Sequence, residues 1–310
     1  MKWSKARSNH RLIYWHEKPL RSRKNPATFN SINGKSMKQY KNDCAFCGAR
    51  NSTREHIIPV WLGKKYETQS NSTSFNRKIS KDVTSGQTED NSKTTGRPAT
   101  SITIKRFCAD CNNGWMSTIE EKMKLIFEKI EKSLFYLRLT QNEMKTLVEW
   151  STLKTIEWNL TCEDTAWITA KDMTHFHQHR RPPEDWKIYI GYYNDLSTPP
   201  EPYFLQLASL LSDNNGPNNR FENRNYNCQS TSICIPPLFI HVICHTSDLA
   251  NTFKSCYQNK KLARRIWPNT EALNIAFKTL EPIDRAIALI LNHTYGGAIA
   301  HHLESIQHRL

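Results

Sequence analysis

The chain has 310 residues, enough for two domains, and a hydrophobic content of 38% that suits a soluble protein with a sizeable core. No apolar run approaches the ~20 residues a membrane-spanning helix needs, and Met1 to Lys24 is broken by Lys, Arg, His and Glu before it can build a signal-peptide core. A cytoplasmic protein without membrane attachment is therefore expected, and its net charge of +14, with a pI near 9.4, points to a polyanionic partner.

The charge is concentrated at the start. Residues 1–43 carry Lys2, Lys5, Arg7, Arg11, Lys18, Arg21, Arg23, Lys24, Lys35, Lys38 and Lys41 against only Glu17 and Asp43. Such a basic extension suits nucleic acid, because each neutralised phosphate releases condensed counterions. A solvated basic tail is the alternative. The pattern changes at Cys44-Ala45-Phe46-Cys47-Gly48, a CxxC knuckle with a turn-forming glycine. A short β segment through His56-Ile57-Ile58-Pro59-Val60 follows, with a stop at Gly63. Residues 64–100 are rich in Ser, Thr, Asn, Gln and Lys, so this polar insertion reads as a loop with brief strand-like alternation at most.

Order is expected again at 101–107, a strand with Ile102, Ile104 and Phe107 on one side, leading into a second knuckle, Cys108-Ala109-Asp110-Cys111. Residues 116–137 then have helical spacing through Ile119, Met123, Ile126, Phe127, Ile130 and Leu134. A second helix is expected over 141–160, with Thr140 and Glu143 forming a capping box. Strands are expected over 187–193, 203–207 and 238–244, separated by Pro199-Pro200, the Asn/Gly/Pro stretch 214–219 and Pro236-Pro237. Helices near 269–276 and 285–291 close the chain. Residues 138–310 thus read as an α+β domain whose sequence names no function of its own.

The chemistry sits between the knuckles. Cys44, Cys47, Cys108 and Cys111 supply four thiolates, enough to close a tetrahedral zinc site with no position left for water or substrate, so this Zn²⁺ would be structural. The knuckles lie about sixty residues apart, and the metal would hold the inserted segment across its base. Glu55 and His56 follow the first knuckle and Asn112 follows the second. A neutral imidazole at His56 suits proton abstraction near neutral pH, although a metal ligand or a buried structural histidine is the other role open to it. Glu55 and Asn112 offer the hard oxygens that Mg²⁺ or Mn²⁺ prefers. Asn113 is the nearest substitute for Asn112, with helix capping as its ordinary role.

This order of residues, over Cys44 to Glu120, resembles the HNH endonucleases. The resemblance implies an α+β protein in which an N-terminal ββα-metal (HNH) zinc-stapled module over 44–137 precedes a helical and β-rich C-terminal domain. It also implies Glu55 as ligand of a catalytic divalent ion, His56 as general base, and Asn112 as the ligand in the final position. The substrate implied is DNA, with RNA not excluded, in host defence, restriction or mobile-element processing. Two departures stand out. Glu55 replaces the aspartate that many such proteins have, and the family's middle asparagine has no match in 101–107, leaving Asn76 or Asn91 in the insertion to replace it. Arg54, Lys105 and Arg106 are placed to clamp phosphates or to be solvated, while Trp61 and Trp115 are expected to pack on the zinc core. His175, His177, His179, Arg180 and Arg181 form a cationic cluster read as a solvated or phosphate-facing surface. The C-terminal half would serve target choice, self-association or a regulatory partner. A catalytically silent, zinc-stapled nucleic-acid-binding protein is the alternative reading.

Overall fold

The computed structural model describes residues 43–66, 73–75, 77–80, 88–90, 93–95, 102–133, 136–161, 168–194, 203–209, 228–245 and 261–294, all within one compact unit, Tyr40–Leu310. The basic extension lies outside the described residues except for Asp43. Strand β1 (Ser52–His56) pairs antiparallel with β6 (Thr103–Cys108), setting Ser52 opposite Cys108 and His56 opposite Thr103, and the register slips at Arg54 between Thr53 and Glu55. After β6 a wide helical turn, Cys111–Met116, runs into α2 (Ser117–Lys132). Two antiparallel strands followed by a helix thus carry both knuckles.

The apolar run after His56 is not strand. Ile57 and Ile58 are buried links, and Pro59, which has no N–H to give a ladder, precedes the short helix α1 (Val60–Lys65). Gly63, expected as a stop, is buried inside that helix. The expected stripe on α2 is present: Ile119, Met123, Ile126, Phe127 and Ile130 are all buried. The helix ends sooner than its periodicity suggests, and Leu137 belongs instead to β7 (Leu137–Leu139), which pairs with β13 (Leu273–Ile275).

The polar insertion also departs from expectation. It contains β2 (Thr73–Phe75) paired with β5 (Lys93–Thr95), and β3 (Arg77–Ser80) paired with β4 (Thr88–Asp90). Strand β3 also runs parallel to β9 (Tyr203–Ser209). Together with β8 (Lys187–Tyr192), β10 (Cys228–Ile235), β11 (Leu238–His245) and β12 (Ala263–Trp267), they form a seven-stranded sheet in the order β12-β8-β11-β10-β9-β3-β4. Backbone pairing at a sheet edge needs no apolar run, which is why composition alone reads this segment as loop. Where a helix is expected at 269–276 there is β13 and a single tight turn at Phe277–Thr279. The closing helix is present as α5 (Arg285–Thr294).

Helix α3 (Gln141–Asn159) is buried over most of its length. It opens on the expected capping box, in which Thr140 accepts from the Glu143 amide and Glu143 accepts from that of Thr140. Lys129 on α2 reaches Glu143 at 2.7 and 2.9 Å, and Gln206 on β9 donates to the Thr155 carbonyl at 3.4 Å, so α3 bonds to α2 and to the sheet. The larger of two hydrophobic clusters among the described residues runs from Phe46, Phe107 and Phe127 through Trp150 and Leu153 to Ile240 and Phe277, and a smaller one gathers Tyr193, Phe239, Ile243, Ile283 and Leu291. The fold is mixed α+β. Among the described residues no helix is long and apolar enough to cross a membrane.

Candidate functional site

The four cysteines of the two knuckles converge. Their Sγ atoms all lie within 4.8 Å of one another, and Cys47 Sγ stands 3.5 Å from Cys108 Sγ. A tetrahedral zinc with bonds of about 2.3 Å needs sulfurs about 3.8 Å apart, so this donor set could hold the ion. Local backbone shapes the first knuckle. The Gly48 amide donates to the Cys44 carbonyl at 2.9 Å, with Gly48 in the left-handed region at φ 73°, and the Ala45 amide donates to Arg106 on β6 at 2.8 Å. Burial pushes the Cys44 thiol up, but hydrogen bonds from the backbones of Cys108, Cys47 and Phe46 outweigh it and bring the group to about 7.

An aromatic shell covers the cysteines. Phe46 stacks on Phe107 with ring centres 4.9 Å apart and meets Trp115 edge-on at the same separation. Helix α4 (Ala170–His179) adds Phe176, 5.7 Å from Trp115, and His177, whose Nε2 lies 3.9 Å from Cys111 Sγ. Arg180, in the left-handed conformation that ends α4, places its guanidinium 3.8 Å from the Trp115 ring. Two members of the cationic cluster therefore face the knuckle rather than solvent, while His175 and His179 pack together 4.7 Å apart and Arg181 is exposed. Trp115 packs on the aromatic residues around the four cysteines. Trp61 packs against Phe127 on α2 and donates from Nε1 to Glu120 at 3.2 Å.

Asn112, buried at the start of the turn into α2, donates from Nδ2 to Thr53 Oγ1 at 3.0 Å and to the Arg54 carbonyl at 3.1 Å. The Asn112 side chain and the His56 backbone also favour the charged form of the Glu55 carboxylate. Glu55 and Asn112 are thus brought together. Asn112 thereby ties the turn into α2 to the strand of Glu55 and His56, and Asn76 and Asn91 lie outside the described residues. His56 closes β1, half-buried, and its ring has no hydrogen-bond partner among the described residues. Arg54 occupies the irregularity in β1 and is exposed, as is Lys105 on β6; Arg106 is half-buried. Asn113 is exposed.

Sequence reasoning misses a buried charge cluster between α2 and α3. Lys154, on the inward side of α3, has a side chain only 1% exposed, with Nζ 2.5 Å from Glu120 Oε1 and 2.8 Å from Glu157 Oε2. Burial alone would lower the Lys154 pKa, but Glu120, Glu157 and Glu55 together raise it, so the ammonium stays charged. Glu157 is fully buried and is pushed well above the ordinary carboxylate range by desolvation, against the pull of Lys154. Glu55 is also raised, first by burial and further by Glu120, with Lys154 and Asn112 opposing. The one signal in the sequence was a Lys154/Glu157 pair at i,i+3 in the half of α3 where the other positions from Trp150 to Trp158 are apolar, Ser or Thr.

No protein-family model matches the chain, and no curated protein or solved structure matches it.

Proposed function

We propose that this protein is a metal-dependent endonuclease of the HNH type that hydrolyses DNA phosphodiester bonds. The observation that carries the reading is the approach of Asn112 to Glu55 at a strand pair and helix joined by four cysteines, with the half-buried His56, whose ring has no hydrogen-bond partner among the described residues, at the next position. A structural Zn²⁺ held by Cys44, Cys47, Cys108 and Cys111 would fix the two knuckles, and with them the spacing of residues 55 and 112. The carboxylate of Glu55 and the amide oxygen of Asn112 suit a hard divalent ion, Mg²⁺ or Mn²⁺, which would supply charge neutralisation at the scissile phosphate.

The chain's own contribution is positional and basic. The Asn112 amide nitrogen is committed to β1, so its oxygen is the atom that remains for ligation. His56 would take a proton from water as the water oxygen bonds to phosphorus, and the bond from phosphorus to the 3′ oxygen would break. The leaving oxygen would be protonated from solvent, giving a 5′-phosphate end. Exposed Arg54 and Lys105, with Arg106, are suited to phosphates flanking the cut.

The test is nicking of supercoiled plasmid with Mg²⁺ or Mn²⁺. Wild type should cut and His56→Ala should lose at least about a hundredfold in rate, the contribution typical of a general base. Equal cutting by both, or by neither across DNA and RNA substrates, removes the nuclease reading. The competing reading is a silent nucleic-acid-binding module. It draws support from Asn112, whose donor bonds to β1 would serve architecture equally well in a protein that never cuts.

A further inference from the structure

A cavity of about 320 Å³ opens between α1 and α2, lined by Trp61, Lys64 and Lys65 from the first helix and by Lys124, Phe127 and Glu128 from the second. Its floor is aromatic: Phe127 is buried, and Trp61 packs on it with ring centres 5.5 Å apart. Its rim is cationic. Lys65 is committed to an ion pair with Glu131 and lies 5.5 Å over the Phe127 ring. Lys64 and Lys124 are exposed and have no ion-pair or hydrogen-bond partner among the described residues. The groove is also held in shape. Trp61 Nε1 donates to Glu120 on α2 at 3.2 Å, Leu62 and Gly63 are buried, and Tyr66 at the end of α1 donates to the Pro236 carbonyl at 2.5 Å.

We propose that this groove holds the sugar-phosphate backbone of the DNA beyond the cut, with Lys64 and Lys124 on its phosphates and the Trp61–Phe127 floor beneath a sugar. The inference rests on the nuclease reading for its choice of partner and adds a surface to it. Chain path places the groove within reach of the candidate site. Helix α1 opens four residues after His56, so the Val60 Cα stands at most about 15 Å from that of His56, a few phosphates along one strand. Two ammonium groups without counter-charges gain by neutralising phosphates, because each such contact releases condensed counterions. Contacts of this kind set the register of the strand and read no sequence. Glu128 lines the same groove and repels a polyanion, which gives the experiment a second sign.

The experiment measures binding of the full chain to a fluorescein-labelled DNA duplex in Ca²⁺, by anisotropy, between about 50 and 200 mM salt. Wild type is compared with Lys64→Gln/Lys124→Gln, with Glu128→Gln, and with Lys145→Gln/Lys171→Gln, which removes the same charge from exposed positions on α3 and α4. The groove pair should weaken binding at least about tenfold at the lower salt and flatten the plot of log affinity against log salt by about 2, the share of two phosphate contacts. Glu128→Gln should tighten binding at least about twofold, a gain that misfolding cannot produce. The control pair should shift the slope by less than about 0.5. Equal flattening by the control pair assigns the effect to diffuse charge and overturns the proposal, as does a wild-type slope in the groove pair or a Glu128→Gln protein that binds no tighter. A wild type that nicks plasmid, beside a groove pair that binds as wild type does, loses this inference and keeps the nuclease reading. Binding through the groove by a protein that nicks nothing does the opposite. A wild type that binds no DNA overturns both.

Discussion

His177 Nε2 stands 3.9 Å from Cys111 Sγ, which joins α4, some sixty residues downstream, to the four-cysteine cluster. A four-thiolate zinc carries a net negative charge, and the ring nitrogen of His177 and the guanidinium of Arg180 are the polar groups α4 brings to it. Removing the metal should therefore loosen more than the knuckle. One zinc per chain is expected by elemental analysis. Chelation, or Cys111→Ser, should lower the melting temperature by at least about 10 °C and change the fluorescence of Trp115. A chain that binds no zinc, or melts identically without it, refutes the assignment.

Asn112 makes a second prediction separable from catalysis. Its Nδ2 serves two acceptors on β1, and one of them, Thr53 Oγ1, itself donates to the Phe107 carbonyl at 3.0 Å across the strand pair. Asn112→Ala leaves the Arg54 carbonyl short of a partner and should destabilise by about 1–3 kcal/mol in urea unfolding. Asn112→Asp keeps an oxygen for a metal but sets it against acceptor oxygens, so it should be at least as unstable as the alanine variant. An aspartate variant as stable as wild type would show that the amide nitrogen is not the tether.

What could be read beforehand divides along physical lines. Signals that are local in sequence survived folding: the paired knuckles, the Thr140–Glu143 cap and the α2 stripe each depend on residues a few positions apart. Strand β10 offered no apolar run to read, because Gln229, Ser230, Thr231 and Ser232 are polar, yet all four are buried on a strand between β9 and β11. The convergence of Glu55 and Asn112 followed from the knuckles, which bring the two positions together. The Lys154 cluster did not, since nothing along the chain pairs Lys154 on α3 with Glu120 on α2. Likewise, a count of cations could not distinguish His177 and Arg180, turned to the cysteines, from an exposed Arg181.

Gly191 shows how tightly β8 is held at the far end of the sheet. A Cβ there would lie 2.7 Å from the Leu262 carbonyl oxygen and 2.9 Å from Ile283 Cδ1. The side chain could rotate away, but the backbone oxygen could not move without dragging β12, which pairs with β8 at this position. Gly191→Ala should cost about 1–3 kcal/mol by the overpacking route, read from the denaturation midpoint. An unchanged midpoint would mean that β12 yields easily.

The sheet also carries a pH liability in His241. The residue is fully buried on β11; its Nε2 lies 2.5 Å from Ser230 Oγ, and Ser230 in turn donates to Asn292 Oδ1. With the Ser230 proton directed at Asn292, the serine oxygen accepts from His241, which fixes the ring as the neutral Nε2–H form. Desolvation depresses the group from its usual range to about 3. The unfolded chain therefore binds this proton first as the pH falls, so stability is full above about pH 6.5 and declines below it, at about 1.4 kcal/mol per pH unit until the folded pKa is approached. Between pH 6.5 and 5 the loss from this one residue is about 2 kcal/mol. His241→Gln keeps a donor near Ser230 but cannot titrate. Urea unfolding at pH 7.5 and 5.0 should accordingly show wild type losing about 2 kcal/mol more than the glutamine variant over that interval. Parallel losses in the two proteins would mean that His241 is not the residue through which acid acts on the sheet.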